Sequence, residues 1–216
     1  MTIAAAFFDL DGTLVDSLED LTDAVNAMLG GFGKSPLDSS KVCSLVGKGA
    51  RNLIQRALGS ESHEEIEQGL KLFVEFNSTH ITDKSQLYPG VRGALDALRK
   101  HKVKMAVISN KNESLSRLIL KSLEIDHYFE AICGGDTFPE MKPSPLPLLQ
   151  IAERFAIATG NTVMVGDSIN DIQAGKLAKI TTIGCTWGYG GLHELQEADH
   201  LADTFEEVAS IMLNKL

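Results

Sequence analysis

Ile3-Ala4-Ala5-Ala6-Phe7-Phe8-Asp9-Leu10-Asp11-Gly12-Thr13 is the stretch on which the fold turns. The unbroken apolar run from Ile3 to Phe8 reads as a short strand buried on both faces, and a carboxylate stands directly at its end. Asp9 and Asp11, two residues apart on an extended backbone, point to the same side. Their like charges repel unless a cation or a proton intervenes, so the pair costs stability wherever it has no task. Gly12 permits a tight bend that leaves backbone N–H groups open to an anion. Turns rich in Asp and Gly are common at strand ends, so the segment gains meaning only from the rest of the chain.

Directly downstream the period changes. Leu18, Leu21, Val25, Met28 and Leu29 recur at helical spacing, with Ser17 and Asp20 resembling an N-terminal cap and Gly30-Gly31-Phe32-Gly33 a stop. Helical patterns continue through 39–46, 50–58 and 62–82, and nothing between Asp16 and Gln86 reads as a buried strand. After Tyr88-Pro89-Gly90, helices at 91–101, 112–123, 145–155, 168–178 and 204–213 alternate with apolar strands at 103–108, 129–133, 162–165 and 180–185. Short apolar strands alternating with helices predict a parallel sheet covered on both faces. The expected fold is α/β: a Rossmann-like parallel-sheet core over 1–15 and 88–216, with a small helical cap domain over 16–87 inserted after the first strand.

In an open parallel sheet, sites form beyond the carboxyl ends of the strands. Asp9, Asp11, Ser109, Asn110 and Asp167 all stand there. Gly166-Asp167-Ser168-Ile169-Asn170-Asp171 is a second acidic segment, with Asp171 one helical turn beyond Asp167 and on the same side. A helix N-terminus favours acids by itself, but two carboxylate clusters at the ends of two buried strands suit a hard cation such as Mg²⁺. Ser109 and Asn110 offer a hydroxyl and an amide to a phosphate oxygen. Lys142, in Met141-Lys142-Pro143-Ser144-Pro145, sits on a loop that its prolines restrict, where an ammonium is able to pair with a phosphate or a carboxylate.

Asp-Leu-Asp-Gly-Thr at 9–13, Ile-Ser-Asn at 108–110, Lys-Pro at 142–143 and Gly-Asp-Ser-x-x-Asp at 166–171 resemble, in that order, the four motifs of the haloacid dehalogenase superfamily. The resemblance implies a Mg²⁺-dependent phosphatase in which Asp9 is the nucleophile and forms an aspartyl-phosphate. Asp11 would serve as general acid toward the leaving alkoxide and then as general base toward water. The metal would be held by Asp9, Asp167 and the backbone carbonyl of Asp11. Thr13, Ser168 and Asp171 would support the site, Asp171 by completing the metal shell or orienting Lys142. Ser109, Asn110 and Lys142 would cradle the phosphoryl group. A carboxylate at position 11 favours phosphotransfer over dehalogenation, for which the family lacks it.

Within the superfamily, Leu14-Val15-Asp16-Ser17, Val46-Gly47-Lys48-Gly49-Ala50 and Thr186-Trp187-Gly188-Tyr189-Gly190 resemble the phosphoglycolate phosphatase group. Pyrophosphatases, nucleotidases and phosphosugar mutases have similar caps and remain alternatives. A phospho-acceptor signalling domain is a reading of another class, and the roughly 70-residue helical insertion counts against it. A small cap favours a small phosphorylated metabolite, and Lys48 or Arg51 at the cap's Gly-rich turn is expected to receive its far end. Trp187 and Tyr189 are expected mainly to pack, and the six histidines show no metal-ligand spacing.

The whole composition is consistent with this. The 216 residues carry a formal charge of −9, which argues against nucleic acid and an anionic membrane surface as partners. Three cysteines, an odd number without a CxxC pair, predict neither a disulfide framework nor a zinc site. No basic residue precedes Lys34, unlike a signal peptide, and no apolar run is long enough to span a bilayer. A cytoplasmic protein is expected, with a monomer or a homodimer both open.

Overall fold

In the computed structural model, which describes residues 3–215, the apolar run before Asp9 becomes strand β1 (Ala5–Phe8), buried throughout. A two-residue strand β2 (Val15–Asp16) comes next, and then four helices: α1 (Leu18–Gly31), α2 (Ser39–Cys43), α3 (Gly49–Leu58) and α4 (His63–Thr79). The chain returns through β3 (Gln86–Leu87). Alternation then begins: α5 (Val91–Lys100), β4 (Lys104–Ile108), α6 (Glu113–Ser122), β5 (Ala131–Cys133), α7 (Leu146–Phe155), β6 (Thr162–Gly166), α8 (Ile169–Ala178) and β7 (Thr181–Cys185). A three-residue strand, β8 (His200–Ala202), and helix α9 (Phe205–Ser210), which runs on into a π-helical turn at Ile211–Lys215, close the fold.

Six strands form one parallel sheet in the order β5-β4-β1-β6-β7-β8. The expected α/β class is therefore observed. Side chains on each strand alternate between the two faces, so β1 feeds two separate cores. Ala6 and Phe8 pack with Leu95, Leu98, Ile119 and Phe205 of α5, α6 and α9. Ala5 and Phe7 pack with Leu148, Ile151, Phe155 and Ala174 of α7 and α8. Because β4 and β6 flank β1, strand order reverses at β1, and that switch point places the ends of β1, β4 and β6 around one crevice. Gly12 bends the chain away there at φ +84°, a conformation glycine adopts without strain. Asp167 lies so close that a Cβ at residue 12 would meet its carboxylate.

Helices α1–α4 bury a third cluster of their own, with Leu21, Val25, Met28, Val42, Leu53, Ile54 and Phe73 at its centre. The antiparallel β2–β3 ribbon pairs Val15 with Leu87 and Asp16 with Gln86, at the two places where the helical segment leaves and rejoins the sheet. Ser17 and Asp20 correct the sequence reading, because α1 begins without a side-chain cap. The Ser17 hydroxyl donates instead to Asp11 Oδ1 at 2.6 Å. Asp20 accepts the backbone N–H groups of Lys84 and Ser85 and so ties α1 to the returning strand. Strand β8 gave no sequence signal, since His200-Leu201-Ala202 is too short to show a period and lies at the sheet edge.

Candidate active site

Asp9 leaves β1 with its N–H donating to the Val165 carbonyl at 2.9 Å, which fixes its backbone to the neighbouring strand. Its carboxylate shares a space with two others: one ligand oxygen each from Asp9, Asp167 and Asp171 lie within 4.8 Å of one another. The loop bearing Lys142 crosses this space. Lys142 Nζ lies 2.6 Å from Asp171 Oδ1 and 3.0 Å from Asp9 Oδ1, and the lysine is 2% exposed. Burial works against its charge, yet the two carboxylates outweigh burial and hold the ammonium pKa above the ordinary lysine value.

The acids are unequally occupied. Asp171 Oδ2 accepts the Ser168 N–H and hydroxyl at 3.1 and 2.8 Å, the reach of a helix-capping acid, while its other oxygen holds Lys142. Asp167 accepts the Thr13 hydroxyl at 2.9 Å and the Tyr189 N–H at 2.7 Å. Asp9 Oδ1 is buried and accepts no aligned hydrogen bond, so its contact with Lys142 is an ion pair alone. Burial, eased by Lys142 and aggravated by Asp171, pushes the Asp9 carboxyl up to about 6. Burial, and after it the charges of Asp9 and Asp171, pushes Asp167 to about 7. Crowded buried carboxylates, two of them with raised pKa, fit a hard divalent cation.

Asp11 stands apart from this trio. Its carboxylate accepts the Ser17 hydroxyl and faces Lys111 Nζ at 3.3 and 3.4 Å. Asn110 donates to the Gly47 carbonyl at 2.9 Å and to the Lys142 carbonyl at 2.8 Å, and Asn170 reaches the same Gly47 oxygen at 3.3 Å. Two core amides thus clasp one carbonyl of the helical segment. Between them lies a cavity of about 60 Å³ whose sheet side carries Asp9, Asp11, Ser109, Lys111 and Lys142. A single water needs about 10–15 Å³ on this measure, so the space suits a small molecule.

A family model for haloacid dehalogenase-like hydrolases matches residues 6–185. The chain belongs to that family. A phosphoglycolate phosphatase of Chromobacterium violaceum is 40% identical over 98% of this chain and 97% of its own length. One from Neisseria meningitidis is 42% identical over 91% of this chain and 86% of its own. The crystal structure of a predicted phosphoglycolate phosphatase from Haemophilus somnus superposes with a TM-score of 0.93 at 31% identity, covering 98% of each chain. Membership in this hydrolase family agrees with the resemblance drawn from the four motifs.

Against the residues singled out in sequence, the structure gathers Asp9, Asp11, Thr13, Ser109, Asn110, Lys142, Asp167, Ser168 and Asp171 at one sheet edge. The two cap residues are not among them. Arg51 is paired with Glu67 of α4, and neither Arg51 nor Lys48 lines the cavity. Gly47 and Gly49 both take positive φ, and the Gly47 carbonyl is what the turn presents to Asn110 and Asn170. Sequence reasoning missed Lys111, Ser17 and Asn170 as site residues. Lys111 comes directly after Ser109-Asn110 at a strand end, a position that should have drawn notice. Trp187 and Tyr189 do more than pack. Trp187 donates to the Thr13 carbonyl at 3.1 Å, and the Tyr189 hydroxyl accepts the Ser17 N–H at 2.7 Å.

Proposed function

We propose that this chain is a Mg²⁺-dependent phosphatase that hydrolyses a small organic phosphate monoester, with phosphoglycolate the preferred substrate. The observation that carries the reading is Lys142 lodged between Asp9 and Asp171, in a cluster with Asp167, on the floor of a small cavity that Asp11 also lines. The choice of phosphoglycolate draws support from the relatives that bear that activity in their names. Asp9 and Asp167, with the Asp11 carbonyl, would hold Mg²⁺. Asp171 has both oxygens engaged, which favours orienting Lys142 as its part. When bound, the cation neutralises the crowded carboxylates and the charge of the incoming phosphate.

The chain's own groups then divide the work. An Asp9 carboxylate oxygen attacks phosphorus as the P–O bond to the leaving group breaks, giving an aspartyl-phosphate. Asp11 gives its proton to the departing alkoxide and afterwards takes one from the water that attacks phosphorus and restores the Asp9 carboxylate. Lys142, Ser109 and the site's backbone N–H groups hold the equatorial phosphoryl oxygens. Residues 16–87 act as a cap that shuts water out, clasped through the Gly47 carbonyl. No helix among the described residues is long and apolar enough to cross a membrane, in keeping with a cytoplasmic enzyme acting on a free metabolite.

The test is free phosphate release from phosphoglycolate, pyrophosphate, nucleotides and hexose phosphates, with Mg²⁺ and with chelator, by wild type and D9N. The reading expects Mg²⁺-dependent turnover with phosphoglycolate leading. Dominant turnover of pyrophosphate or a nucleotide would reassign the substrate, and phosphoryl exchange between hexose hydroxyls would indicate a mutase. Metal-independent turnover would overturn the mechanism.

A further inference from the structure

Two cations line the cavity, and they are held very differently. Lys142 is locked by two carboxylates at 2.6 and 3.0 Å. Lys111, on the loop after β4, faces Asp11 alone, at 3.3 and 3.4 Å from its two oxygens. Charge-assisted N–H···O contacts normally run about 2.7–2.9 Å, so this pair is slack. The Lys111 side chain is nevertheless only 6% exposed. A buried ammonium has three donors to place, and Asp11 is its one acceptor among the described residues. Opposite stands a roof of Leu21, Val46, Ala50, Leu53 and Phe73, which carries no charge and no side-chain hydrogen-bonding group.

We propose that Lys111 is the specificity-determining residue that receives a second anionic group of the substrate, a carboxylate one or two carbons from the leaving oxygen. The inference rests on the phosphatase reading above, in which Asp11 faces that leaving oxygen. An ammonium 3.3 Å from Asp11 then lies beside the carbon chain of the leaving group. The ligand class this selects is a short phosphorylated hydroxy acid. A sugar phosphate would press the hydroxyls on its roof side against apolar groups and leave those without partners. Neither basic cap residue lines the cavity, and Arg51 is paired with Glu67.

The experiment compares 2-phosphoglycolate with ethyl phosphate, which keeps the phosphoryl group and chain length but lacks the carboxylate. Removing Lys111 alters Asp11 for both substrates, so the ratio of the two losses isolates the second anion. In K111M, kcat/KM for phosphoglycolate should fall by about 30-fold more than for ethyl phosphate, mostly through KM, as expected for an anion left without its buried partner. K111R should recover most of that discrimination. Titration of phosphoglycolate onto Mg²⁺-loaded D9N, against D9N/K111M, should show the same weakening without turnover. Equal losses on both substrates, or unchanged binding in the double variant, would overturn the assignment while leaving the phosphatase reading intact. A wild type that hydrolyses no phosphoester would overturn both.

Discussion

The cavity's floor and roof are made of opposite materials. On the floor, strand ends, the first turn of α8 and two loops hold three clustered carboxylates and two lysines, all of them buried or nearly so. On the roof, helices α1, α3 and α4 contribute apolar side chains and a glycine-flanked turn that offers only a carbonyl. A parallel sheet is rigid because every strand inside it is hydrogen-bonded on both sides, so it is suited to holding charges at fixed separations. The roof has its own core, with Val74 of α4 also packed against the sheet-side core, and its apolar face can rank ligands by size and polarity. The clustered carboxylates and the charge-selecting Lys111 proposed above thus share the floor, while the roof bears on size and polarity.

Variants on the two layers should therefore fall into two classes of effect. D9N removes the proposed nucleophile and should lower kcat by about 10⁴-fold or more with the fold intact, measured by steady-state phosphate release and circular dichroism. A roof substitution with an equal effect would break the comparison. K142A strips the shared cation from two buried carboxylates. It should cost about 3 kcal/mol of stability in urea unfolding as well as most activity. The metal-free protein should also show a pH signature. Asp167 titrates at about 7 in the folded chain and near 3.8 otherwise, so between those values the folded state binds the extra proton. Stability then falls as pH rises from about 4 to 7, by up to about 4 kcal/mol at roughly 1.36 kcal/mol per pKa unit. D167N should flatten that slope in calorimetry, and Mg²⁺ should restore what high pH removes.

Smaller effects belong to the roof. N170A loses one of the two amides on the Gly47 carbonyl and should raise KM about 3-fold with little change in kcat, since the surviving Asn110 contact is shorter. K48A and R51A should change kcat/KM less than about 2-fold, because the Arg51–Glu67 pair is exposed and such pairs contribute little. A large loss in either would move selection onto the cap's basic residues and away from Lys111.

The contrast also explains what was legible in the sequence. The floor could be read because Asp9 and Asp167 stand directly after buried apolar runs, and strand ends in a parallel sheet converge by topology alone. Asp9, Ser109 and Asp167 needed nothing more. The roof could be read as helical but not as oriented. The positive φ of Gly47 and Gly49, and the pairing of Arg51 with Glu67 on the next helix, decide which side of the turn faces inward. Spacing does not encode either. Lys111 lay between these cases: its position was visible, but its burial against Asp11 depends on packing that only the folded chain supplies. Tyr189 escaped for a related reason, since an aromatic in a loop reads as packing until its N–H is found on Asp167.

The central claim is that the Asp9 carboxylate takes the phosphoryl group. Mg²⁺-loaded enzyme turning over phosphoglycolate can be quenched in acid, treated with borohydride, which reduces an acyl phosphate to the alcohol, and digested for mass spectrometry. The account predicts homoserine at position 9 and at no other aspartate, absent when Mg²⁺ is chelated and absent in D9N. Full turnover with aspartate unmodified at position 9, or homoserine at position 11 or 167 instead, would contradict it.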